Sequence, residues 1–88
     1  MLIGKVTGSV VATRKNENLI GNKFMVIELV KDMGETKKIV AIDNIGAGIG
    51  EVVLVATGSA ARIGCDVAKT PVDAAIVGIV DNCSGMEI

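Results

Sequence analysis

The amino-acid sequence predicts an all-β fold, a small OB-like β-barrel of about five strands with one short helical turn. Three observations carry that prediction. The first 13 residues alternate apolar and polar. The apolar runs that follow are short and rich in Val and Ile, and clusters of turn residues separate them at steady intervals.

Met1 to Thr13 reads as a long strand. Leu2, Val6, Val10 and Ala12 share one face with Gly4 and Gly8, while Lys5, Thr7 and Ser9 lie on the other, the period of two of a pleated strand. Glycines inside a strand point to bends or to close approach of another backbone, as at the corner of a small barrel. Arg14 to Asn18 is a polar loop, and Leu19-Ile20-Gly21 turns the chain back. Asn22 to Val30 is the second strand, apolar on both sides through Phe24, Met25, Val26, Ile27 and Leu29. Such a strand is expected to be covered on both faces, with a neighbouring subunit as one candidate cover. Lys31 to Glu35 is a hairpin turn with Gly34 available for φ > 0. Lys37 to Ile42 is the third strand.

A glycine-rich bend, Asp43 to Glu51, leads into the fourth strand, Val52 to Ala56. Ser59 is placed to cap a single helical turn over Ala60, Ala61 and Arg62. Gly64 to Pro71 is a loop, Val72 to Val80 the fifth strand, and Cys83 to Ile88 a tail. No domain boundary, repeat or low-complexity tract interrupts the order, so residues 1–88 are expected to form a single domain.

Composition limits the function classes. A chain of 88 residues buries only about 60–65% of the surface it exposes when unfolded. Half of its residues are hydrophobic, yet Phe24, expected in the core, is its single aromatic residue. So much Val, Ile and Ala exceeds what a small interior hides, and some of it is expected to meet another copy. Net charge is -1 with a pI near 5.2. No broad basic face offers itself to nucleic acid, and one Phe makes no stacking platform. Two small basic pairs, Arg14 with Lys15 and Lys37 with Lys38, are solvated loop ends or a docking edge for an acidic partner. Apolar runs such as Ala74 to Val77 are too short to span a bilayer. Met1 to Lys5 has no charged leader followed by a long apolar run. A cytoplasmic protein with reduced Cys65 and Cys83 is therefore expected. The chain has no His, so a zinc site lacks ligands and the commonest acid–base group is missing; neither a metal nor a cofactor is expected.

The bend from Gly46 to Gly50 has glycines at alternate positions, each expected to supply φ > 0. Three uses are open to it: cradling a phosphate, reversing the chain tightly, or packing against a neighbouring copy. The spacing G-x-G-x-G differs from the dinucleotide fingerprint, and the loop leads into a strand rather than a helix. Asp43 and Glu51 flank it. They form either a carboxylate pair for acid–base work or, the favoured reading, a structural pair. In the latter, Asp43 accepts backbone N–H bonds and Glu51 pairs with Arg62 or Arg14. The serines and cysteines have no visible base partner.

Several stretches together resemble a known family. They are Gly4-Lys5-Val6, Ala12-Thr13-Arg14-Lys15 with Leu19-Ile20-Gly21, the segment Asp43 to Glu51, Gly58-Ser59-Ala60-Ala61-Arg62, and Val72 to Asp81. In combination they are similar to the vertex proteins of bacterial microcompartments, the EutN/CcmL family. The resemblance implies an OB-like barrel that forms a pentamer and caps the vertices of a polyhedral shell whose facets are tiled by hexameric shell proteins. It implies a structural protein rather than an enzyme. It places Asp43, Gly46, Ala47, Gly48, Gly50, Glu51 and Arg62 at subunit interfaces, and Arg14 with Lys15 on the rim that meets hexamers. The alternative is a small OB-fold binding module for nucleic acid or a small ligand.

Overall fold

The computed structural model describes residues 1–12, 23–30, 37–58, 61 and 73–86. Five strands form in chain order: β1 (Leu2–Val10), β2 (Lys23–Leu29), β3 (Lys38–Asp43), β4 (Val52–Thr57) and β5 (Ala74–Ile79). They close into a barrel in the order β1-β2-β3-β5-β4. All neighbours are antiparallel except β3 and β5, which run parallel. The predicted strands all appear, each within one to three residues of its expected ends. The predicted turn over residues 31–35 lies outside the described residues, as does most of the predicted helical turn. Within that turn, Ala61 is helical and its N–H donates to the Gly58 carbonyl at 3.1 Å.

Alternation explains the core. Met25, Ile27 and Leu29 of β2 point inward, as do Val53 and Val55 of β4, with Val6, Ala41 and Ile76 completing the fill. Ile27, Val53 and Val55 are wholly buried. Small β-branched side chains suit so narrow a barrel, whose interior is just wide enough for them to fill.

β1 departs from its expected pattern. The register against β2 runs Gly4↔Leu29, Lys5↔Glu28, Val6↔Ile27, then slips so that Gly8, not Thr7, faces Val26. A bulge of one residue swaps the two faces of everything beyond it. Gly4 and Val6 therefore face the core, as expected, whereas Gly8 and Val10 stand on the outer wall beside Val26 and Phe24. The expectation that Gly8 and Val10 share a face with Leu2 and Val6 is thus corrected.

Gly4 answers to close approach. A Cβ there would run into the Ile27 side chain and sit 2.9 Å from the Glu28 carbonyl oxygen. No side chain fits where β1 bonds to β2 on one edge and β4 on the other.

Phe24 is also displaced from its expected place. It lies outside the barrel, half-buried, against a second cluster of Ile42, Ala61 and Ala75. These residues share the outer face because Ile42 pairs with both Phe24 and Ala75. Ala61 is wholly buried and packs on this part of the wall. β2 is covered on both sides here by its own chain. Cys83 carries a free, half-buried thiol; Cys65 lies outside the described residues.

Candidate assembly site

The bend between β3 and β4 is held by two carboxylates. Asp43 ends β3 with its side chain 2% exposed. Its Oδ1 accepts the N–H groups of Ile45 at 3.0 Å and Gly46 at 3.1 Å, and its Oδ2 accepts that of Ala47 at 2.8 Å. Aspartate serves such turns because its short side chain reaches backbone donors a few residues ahead. A buried carboxylate is tolerated because charge-assisted bonds replace the water it has lost. The turn drives the methyl of Ala47 into the barrel core, where it is 2% exposed.

Glu51 holds the second half. Its Oε1 accepts the Gly48 N–H at 2.6 Å, and its own N–H donates to the Gly48 carbonyl at 3.1 Å. The loop then docks on β1. The Gly50 N–H donates to the Val6 carbonyl at 2.8 Å, and the Val6 N–H donates to the Glu51 carbonyl at 2.9 Å. These bonds prolong the β1–β4 ladder beyond the Lys5↔Val52 pair.

The glycines divide by role. Gly46 and Gly50 have φ of 86° and 95°, the left-handed region that side chains disfavour. Gly48 does not, contrary to expectation; a Cβ there would lie 3.3 Å from Glu51 Oε1. Its smallness serves the close Glu51 contact, not the backbone angle.

The structure thus brings together Asp43, Gly46, Ala47, Gly48, Gly50 and Glu51. Arg62, Arg14 and Lys15 lie outside the described residues. The two carboxylates hold backbone donors. Among the described residues no three His, Cys, Asp or Glu side chains gather to hold a metal ion.

Two residues that sequence reasoning did not single out stand out in the geometry. Ile45 is 47% exposed and Ile49 68% exposed on the outside of this tied loop. The available signal was chemical. Large aliphatic side chains alternate there with glycine and alanine, in a loop where a lone subunit has polar residues as its usual choice.

The comparisons with known proteins agree with this arrangement. A family model described as ethanolamine utilisation protein EutN/carboxysome matches residues 1–81. The carboxysome shell vertex protein CcmL of Gloeobacter violaceus is 42% identical over 86 residues, covering 96% of this chain and 86% of that protein. The bacterial microcompartment shell vertex protein GrpN of Rhodospirillum rubrum is 46% identical over 86 residues, covering 92% of this chain and 93% of that protein. A solved structure of GrpN from Rhodospirillum rubrum, described as a pentameric microcompartment shell protein, superimposes with a TM-score of 0.85 at 41% identity. That match covers 98% of this chain and 100% of the other. With the family pattern spanning the barrel from β1 through β5 and relatives of this similarity over nearly its whole length, the chain belongs to the EutN/CcmL family.

Proposed function

We propose that this chain is a structural protein of a bacterial microcompartment shell, forming a pentamer that caps the shell's vertices. The observation that carries this reading is the likeness to a pentameric shell protein across 98% of the chain. The physical case supports it. The loop from Asp43 to Glu51 is tied down by carboxylate bonds at both ends and by backbone bonds to β1, yet it exposes two isoleucines. Exposed aliphatic side chains on a pre-organised frame favour association, because little conformational freedom is lost on binding.

In this reading residues 1–88 act as one domain without catalysis or cofactor. The interface residues are Asp43, Gly46, Ala47, Gly48, Gly50, Glu51 and Arg62. The carboxylates and glycines shape the contact; Ile45 and Ile49 supply its apolar area. Arg14 and Lys15 form a rim that meets hexameric shell proteins, in the cytoplasm. The geometric logic is that a flat hexagonal sheet does not close, and five-fold units provide the curvature. The relatives' names favour this over a binding module for nucleic acid or a small ligand.

Co-expression with hexameric shell proteins tests the shell role. Closed polyhedral particles that turn into open tubes or sheets when this chain is left out are the expected result. Closed, capped particles in its absence, with none of the chain incorporated when it is present, would overturn it.

A further inference from the structure

The barrel closes least completely between β3 and β5. These strands run parallel and share the pairs Ile42↔Ala75 and Asp43↔Ile76 alone. β3 begins earlier, at Lys38. Residues 38–41 therefore have β2 on one side and, among the described residues, no strand on the other. The phase of the ladder shows which backbone groups are left over. The Leu29 N–H donates to the Lys37 carbonyl at 2.9 Å, and hydrogen-bonding positions alternate along an antiparallel pair. Ile39 and Ala41 thus bond to β2. The N–H and C=O groups of Lys38 and Val40 point the other way, along an open edge.

An open edge is a template for one more strand. Two side-chain features say what kind. Val40 is 51% exposed in mid-strand, and an aliphatic side chain on an added strand would pack beside it. Lys37 and Lys38 are exposed, and neither makes an ion pair among the described residues. Glu28 stands opposite both Lys5 and Lys38 on the neighbouring strands. One carboxylate shared between two lysines leaves the edge positive, although the whole chain carries a net charge of -1. In the sequence Lys37 with Lys38 reads as a solvated loop end or as a docking edge for an acidic partner. Their place beside unpaired backbone groups favours the second.

The lysines also select against a second copy. Two β3 edges laid together would bring like charges together, which is how edge lysines suppress self-pairing. We infer that the open edge of β3, residues 37–40, binds an extended acidic–aliphatic segment of a different protein as an added strand. This surface lies at the opposite end of β3 from the Asp43 loop, and the assignment stands whether or not that loop builds a ring.

The probe is a fluorescent heptapeptide of alternating Glu and Val. Two controls accompany it: the same peptide with Lys in place of Glu, and the Glu–Val peptide N-methylated throughout, which keeps its charge but cannot donate. Val40→Pro removes the outward N–H and spares the bonds to β2, since proline is tolerated at an open strand edge. A Lys37→Glu, Lys38→Glu double variant reverses the charge. Circular dichroism verifies folding, and the double variant decides the outcome if Val40→Pro does not fold. The wild type is expected to bind the Glu–Val peptide more weakly as salt rises, with the Lys38 and Val40 amides slowed in hydrogen exchange. Both control peptides and both variants are expected to bind at least about tenfold more weakly, a difference of roughly 1.4 kcal/mol. No binding at millimolar peptide, or equal binding by the N-methylated peptide, overturns the added strand. Loss of the wild-type native mass in both variants would assign the edge to a second copy and overturn the foreign partner.

Discussion

The two halves of β1 carry the same alternating pattern and use it in opposite ways. Before the bulge, Gly4 and Val6 face inward, and Gly4 is glycine because nothing larger fits against Ile27. After it, Gly8 and Val10 face outward, and Gly8 has open space around it. One half is shaped by the barrel it belongs to. The other half lines the outer wall, where the bulge beside Gly8 has turned it. The glycine loop repeats the contrast on a smaller scale, with Ala47 held in the core and Ile49 held in solvent by the same hydrogen-bonded frame.

The sharpest way to break the comparison is to place the same side chain in both halves. Gly4→Val is expected to cost about 3 kcal/mol through overpacking against Ile27 and the β2 backbone. Gly8→Val is expected to stay within about 0.5 kcal/mol, as at surface sites with open space. Both are best measured by urea denaturation in an Ile49→Asp background, so that ring formation drops out of the difference. Equal losses at the two sites would erase the distinction between the halves.

Next in size is Asp43→Ala, which leaves the donors of Ile45, Gly46 and Ala47 without their carboxylate. A loss of about 2–3 kcal/mol is expected, read as a fall in Tm of roughly 10–20 °C. An unchanged Tm would show that the loop holds its shape without this residue.

A smaller effect separates the loop glycines. Gly50→Ala forces a side chain into the left-handed region and is expected to cost about 1–2 kcal/mol. Gly48→Ala only presses on the movable end of Glu51, and a cost below about 0.5 kcal/mol is expected. Chemical denaturation of the pair checks the order; a reversal would contradict the assigned backbone angles.

Much of this fold is legible in the sequence because it rests on local chemistry. Short Val- and Ile-rich runs punctuated by Gly, Asn and Asp specify the five strands. The role of Asp43 is legible too, since an aspartate ahead of a glycine-rich bend has donors within reach. The bulge is not. Thr7 looks like any polar residue in an alternating strand, and nothing local shows that the register slips there. That single slip moves Gly8 and Val10 to the other face. Phe24, the single aromatic residue, is expected in the core from the sequence but packs on the outer face. Its true setting depends on Ala61, nearly 40 residues away, folding over the outer wall. Gly48 shares its appearance with Gly46 and Gly50, and only its ordinary φ and its contact with Glu51 tell it apart. Ile45 and Ile49 were hidden by the glycines around them, whose backbone meaning is easier to read than the meaning of an aliphatic side chain left in water.

The measurement that tests the central claim most directly is the native mass of the wild-type protein at micromolar concentration. A single species of five subunits is the result this account predicts. A stable 9.0 kDa monomer would contradict it, leaving Ile45 and Ile49 exposed with no partner to cover them.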